Sequence, residues 1–113
     1  FPWAEACITG NLAEEVARFP VGPETYVVMV TPHYTGDADV LAALANRSPA
    51  YVGLIGSRRR TALTFARAKD LGVSEAWLEK VHTPIGLDIG AETPREIAVS
   101  ILAEIIAVQR GKA

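Results

Sequence analysis

The densest chemistry in the chain lies in residues 51–60, YVGLIGSRRR, where an apolar run passes through Gly56 and Ser57 into a segment headed by Arg58, Arg59 and Arg60. Gly53 and Gly56 allow close backbone approach, and the free N–H groups at the start of a helix attract an anion. Cationic side chains at that end oppose the helix dipole by about 0.3–1 kcal/mol each. A phosphate, pyrophosphate or partner carboxylate, held by backbone amides, Ser57 and the arginines, would offset the conflict. The competing reading is a solvated basic turn in which only the glycine and serine have structural work.

A second candidate is the stretch 84–92, PIGLDIGAE, in which Gly86 and Gly90 flank an apolar and acidic centre at Asp88. Such a loop shapes a pocket wall at the end of a parallel sheet, where ligands of open α/β folds bind. Equally, the glycines serve turns of positive φ and Asp88 bonds local backbone. His82, just ahead of it, reads as a hydrogen-bonding or capping residue before it reads as a base. In residues 31–37 (TPHYTGD), His33 and Asp37 are candidates for ligand or metal contact. Two such residues without a third ligand are weak grounds for a metal, and Asp37 suits a helix cap. Cys7 fits a small core residue, and Trp3 and Trp77 remain unplaced. The chain contains no nucleophilic triad, Walker sequence or nucleic-acid module.

Several elements must position these residues. Residues 5–8 form a short possible strand, and Asn11 caps a brief helix over 12–18 that stops before Pro20. Residues 25–30 (TYVVMV) are continuously apolar and bounded by Gly22-Pro23 and Pro32, as in a strand buried on both faces. After a polar loop over 31–36, residues 37–46 place Val40, Leu41 and Leu44 at helical spacing. The apolar run 51–55 predicts a second strand, followed by a helix to about Leu71 that Gly72 ends. Ser74 caps a short helix through Val81, and residues 82–92 form an ordered loop. The last helix has the fullest signature: Thr93 as cap, Pro94 at the first position, Glu96 completing a capping box, and Gly111 beyond the final turn. Its apolar residues Ile97, Ala98, Ile101, Leu102, Ile105, Ile106 and Val108 cover half its circumference, which predicts a helix laid on a sheet. Short apolar strands alternating with helices make a parallel α/β sheet the expected architecture.

With 113 residues, half of them apolar, and a net charge of -2, the sequence suits one globular core. It has no global electrostatic pull toward nucleic acid or an anionic membrane. The longest apolar stretch, 97–108, is interrupted by Ser100 and Glu104 and falls short of a membrane span. A single cysteine excludes an internal disulfide, so the cytoplasm is the expected compartment. The opening residues show no basic segment followed by an apolar one and Phe1 is not an initiator methionine, so the N-terminus is expected to be processed or truncated rather than targeted.

Taken together, YVGLIGSRRR and HTPIGLDIGAETPREIAVSILAEIIAV resemble the paired signature of the C-terminal, Rossmann-like domain of the XdhC/CoxI family, the maturation factors of xanthine and carbon monoxide dehydrogenases. The resemblance runs from about residue 51 to 111, and more loosely from residue 27. It implies a Rossmann-like, mostly parallel sheet with covering helices, and a chaperone that binds molybdenum cofactor of the molybdopterin type. That chaperone would assist cofactor sulfuration and hand it to a molybdenum hydroxylase client, with a cysteine desulfurase as a further partner. It would be an accessory factor rather than an enzyme. The cofactor-binding residues so implied are Gly53, Gly56, Ser57, Arg58, Arg59, Gly86, Asp88 and Gly90, with no catalytic and no metal-ligating residue. His82, Pro84, Glu92, Thr93 and Pro94 also match the second motif. Lys80 stands where an arginine is more usual, and the 31–37 loop departs from the pattern.

Family domains open with a glycine-rich βαβ unit, and no Gly-x-Gly-x-x-Gly occurs here. The chain therefore reads as a single partial domain over residues 1–113, beginning after that unit. Strand 25–30 is expected to keep an unpaired edge unless another segment or a second copy, as in a homo-oligomer, completes the sheet. Two other functions compete. One is an NAD(P)-binding oxidoreductase-like domain, by analogy of fold; the other is a docking or dimerisation domain without its own ligand.

Overall fold

The computed structural model describes residue 4, residues 10–30 and residues 34–112, with the side chains of residues 34 and 35 set aside. The candidate strand 5–8, Cys7, Trp3 and His33 lie outside the described residues.

The order of elements is α1 (Leu12–Arg18), β1 (Tyr26–Met29), α2 (Tyr34–Ala45), β2 (Tyr51–Leu54), α3 (Arg58–Asp70), α4 (Glu75–Leu78) and α5 (Pro94–Gln109). β1 and β2 pair in parallel, Tyr26 opposite Tyr51 and Met29 opposite Leu54, with α2 as the crossover that parallel neighbours require. On the other side of β2, His82 bridges to Gly53 in parallel: its N–H donates to the Val52 carbonyl at 2.8 Å and its carbonyl accepts from Leu54 N–H at 3.0 Å. His82 is thus a one-residue third strand and not simply part of the loop expected there. Among the described residues β1 pairs only with β2, so the sheet is the incomplete parallel one that the sequence led us to expect.

The core lies between the sheet and α2, α3 and α4. Ala38, Val40, Leu41 and Leu44 of α2 meet Met29, Val52 and Leu54 of the strands, Ala68 of α3 and Leu78 of α4. Each fully buried leucine in such a core contributes about 1.5–3 kcal/mol over leaving it exposed. Helix α2 begins three residues earlier than the spacing of its leucines suggested. Asp37 consequently sits inside the first turn, 1% exposed, and does not cap it. Arg47, beyond the end of α2, donates to the carbonyls of Val16, Ala17 and Phe19, satisfying the open end of α1 and fastening it to α2.

Helix α5 departs from its expected seat. Its cap is as read, with Thr93 accepting from Glu96 N–H and Glu96 from Thr93 N–H. Its buried residues, however, are Ser100, Ile101 and Glu104, while Val99, Leu102 and Ile106 are more than half exposed. The helix does not lay its widest apolar face on the described sheet. Polar groups of the preceding loop need partners, and α5 supplies them.

Candidate functional site: a cleft at the carboxyl ends of the strands

Both sequence motifs open at the same end of the sheet. Ile55 and Gly56 follow β2, residues 83–92 follow the His82 bridge, and a cleft of about 370 Å³ lies between them, walled by residues 84–91 and by Ile97 and Ser100 of α5. A second cleft of about 330 Å³ shares Gly56 and Pro84 and adds Arg58, Thr61, Ala62 and Thr83. This is the end where parallel α/β sheets receive ligands. A smaller cavity of about 230 Å³, lined by Trp77, Lys80 and His82 among others, lies at the amino ends of the strands. It contains none of the residues singled out for cofactor contact, and the carboxyl-end cleft is the better candidate.

Of the eight implied binding residues, Gly56, Gly86, Asp88 and Gly90 line the first cleft, and Arg58 and Gly56 line the second. Ser57 caps α3, accepting from Arg60 N–H at 3.1 Å. Arg59 is exposed beside it and lines neither cleft. No acidic residue occupies the first turn of α3, so its dipole faces the cleft mouth with basic side chains alone. Arg60 is committed differently from its two neighbours, with Nη2 2.9 Å from the buried Asp37 carboxylate. That ion pair accounts for both Asp37 and the third arginine, and it ties α2 to α3.

Two of the glycines have packing reasons. A Cβ on Gly53 would stand 2.5 Å from the Ile85 side chain and 2.6 Å from the Tyr51 hydroxyl, so β2 is bare there to let the loop cross it. Gly86 has φ +91°, and a Cβ would stand 2.4 Å from Ser100 Oγ. The absent side chain brings loop and helix into contact, and Leu87 N–H donates to the Ser100 carbonyl at 3.1 Å. By contrast Gly90, φ +75°, faces open space. The Thr83–Pro84 peptide is cis, and Thr61 and Thr83 share a hydroxyl–hydroxyl bond of 3.2 Å across the second cleft.

One group that the sequence did not single out sits directly beneath the loop. Glu104 Oε1 accepts from the Tyr51 hydroxyl at 2.7 Å and from Gly86 N–H at 3.0 Å, and lies 3.5 Å from His82 Nδ1. The Tyr51 and His82 rings stack at 4.7 Å. Burial, then the hydrogen bond to Glu104 and its charge, holds the Tyr51 phenol well above its ordinary value, so the hydroxyl remains a donor at physiological pH. The available signal was a carboxylate one turn beyond Ser100, the one charge in the apolar stretch 97–108. It reads as an interruption until the partners, 18 and 53 residues away in sequence, are known.

Residues 3–105 match the family model of the XdhC Rossmann domain. The chain belongs to the XdhC family. Its relatives include a probable xanthine dehydrogenase subunit from Bacillus subtilis, 36% identical over 97% of this chain and 31% of that protein. The molybdenum cofactor insertion chaperone PaoD of Escherichia coli is 27% identical over 82% of this chain and 29% of its own length. The uncharacterized protein YqeB of Escherichia coli is 37% identical over 83% of this chain and 17% of its own. Among solved structures, a xanthine dehydrogenase from Bacillus halodurans superposes with a TM-score of 0.81 and 30% identity over 100% of this chain and 32% of that one. This XdhC domain thus spans less than a third of these relatives, and its Rossmann fold is shared with the solved one. Among the described residues no helix is long and apolar enough to cross a membrane, and no group of three or more His, Cys, Asp and Glu is arranged to hold a metal ion.

Proposed function

We propose that this XdhC domain handles molybdenum cofactor during maturation of a molybdenum hydroxylase, and that the carboxyl-end cleft receives the cofactor's phosphate-bearing end. The observation that carries the reading is the convergence of the Gly56 turn, with Arg58 at its rim, and the 84–91 loop on adjoining clefts that share Gly56 and Pro84. The donor set fits such a cargo. Open N–H groups at the start of α3 and the exposed Arg58 and Arg59 suit a phosphate, while Ile55, Ile85, Leu87, Ile89 and Ile97 offer apolar surface to a flat ring. Asp88 lines the same wall and would supply an acceptor for ring N–H groups. The naming of PaoD as a molybdenum cofactor insertion chaperone supports the cargo's identity. Client hydroxylase, sulfuration and a desulfurase partner belong to the same reading.

Titration of the full-length protein with molybdenum cofactor and, separately, with NAD(P) tests it. We expect saturable cofactor binding, weakened about tenfold or more when Arg58 and Arg59 are both replaced by alanine, as for loss of charge-assisted bonds of about 1.5–3 kcal/mol. Undiminished binding by the double variant would remove the assignment. Saturation by NAD(P) alone would favour an oxidoreductase-like domain, and binding of neither would favour a docking domain.

A further inference from the structure

Helix α5 walls the cleft with Ile97 and Ser100, and it also holds the facing loop through one carboxylate oxygen. Glu104 is 8% exposed, and its Oε1 gathers Tyr51 from β2, His82 from the third strand and Gly86 N–H from the loop. A turn earlier on α5, the Ser100 carbonyl takes Leu87 N–H while Ser100 Oγ donates to the Ile97 carbonyl. Burying a carboxylate is costly, so its presence calls for what only an acceptor does. What it does here is fix the N–H of a residue that lines the cleft wall.

We propose that Glu104 is a positioning residue for the cleft: its buried carboxylate sets the place of the Gly86–Gly90 wall against the Gly56 turn, and thereby the affinity for the anionic cargo. The inference rests on the proposed function for the identity of that cargo, and on the hydrogen bonds alone for the positioning. Tyr51, which donates its hydroxyl, and His82, whose Nδ1 stands 3.5 Å away, flank the carboxylate from the sheet, so the loop is referred to the sheet through Glu104 instead of swinging on its glycines.

The test uses the full-length protein and two readouts: the backbone amide resonance of Gly86, which needs no ligand, and the Kd for molybdenum cofactor. Glu104→Ala should shift the Gly86 amide upfield and raise Kd about tenfold, the loss of roughly one charged hydrogen bond. Glu104→Gln, which keeps an acceptor of the same shape, should restore part of both. Val40→Ala, which destabilises the core away from the cleft, should leave both unchanged in the folded protein. Should Glu104→Ala not fold, Glu104→Gln alone must still move the amide and weaken binding. An unmoved Gly86 amide overturns the proposal whatever binds. A moved amide with wild-type Kd overturns the positioning role. Wild-type protein that binds no cofactor would overturn the proposed function instead, leaving the Gly86 amide to decide the role of Glu104 in holding the loop.

Discussion

Helices α2 and α5 are both rich in aliphatic residues, and they use that composition in opposite ways. In α2 the aliphatic side chains are the attachment: Ala38, Val40, Leu41 and Leu44 are all at most 5% exposed. In α5, Leu102 is 59% and Ile106 54% exposed, while Ser100 and Glu104 are buried against the loop. One helix is held by packing, which is non-directional and roughly additive in area. The other is held at this end by a few directional bonds, which fix position more than they add stability. Apolar periodicity identifies a helix face in both cases, and in neither does it say what the face meets.

The sharpest way to break this contrast is to truncate one leucine in each helix. Leu44→Ala should cost about 3 kcal/mol, within the usual range for a large-to-small change in a core. Leu102→Ala in this chain should stay within about 0.5 kcal/mol, as for an exposed position. Urea denaturation measures both, and equal losses would mean that α5 packs as α2 does.

A smaller effect separates the two loop glycines. Gly86→Ala combines the strain of positive φ with a collision at Ser100, and should cost about 2–3 kcal/mol while weakening the contact of α5 with the loop. Gly90→Ala meets only the positive-φ strain, about 1 kcal/mol. Thermal melts that rank Gly90→Ala as the more damaging would show that the contact between loop and α5 is not where the structure puts it.

The smallest expected change is at the start of α5. Thr93→Ala should remove about 1 kcal/mol by taking away the cap. The backbone N–H of Thr93, then that of Glu92, holds the Glu96 carboxyl below the ordinary carboxylate value. A lowered folded-state value means that its contribution is present above the ordinary range and is lost as pH falls through the lowered one. Glu96→Gln should therefore flatten part of the acid side of the stability profile; an unchanged acid limb would show that the capping box does not form in solution.

Much of the fold could be read locally. The Thr93-Pro94-x-Glu96 start of α5, the Asn11 and Ser74 caps and the apolar runs at 25–30 and 51–55 are short-range patterns, and α1, β1, β2 and the cap of α5 formed where those patterns lie. The Gly56–Arg60 turn and the 84–92 loop were also legible as the places where chemistry concentrates, and the family they carry is the one to which the chain belongs. What the sequence could not decide was which residues answer one another. Arg58, Arg59 and Arg60 are alike as letters; only the crossover of α2 brings Asp37 to the third and leaves the first at the cleft. Gly53 and Gly86 acquire a packing reason only when Ile85 and Ser100 are found where their Cβ atoms would be. Glu104 looks like a flaw in an apolar helix until Tyr51, His82 and Gly86 arrive at its oxygen from 53, 22 and 18 residues away. Caps and periodicities are settled by neighbours within a turn or two, and so are written in sequence. A buried polar group is settled by partners that only chain crossing brings near, and so belongs to the tertiary structure.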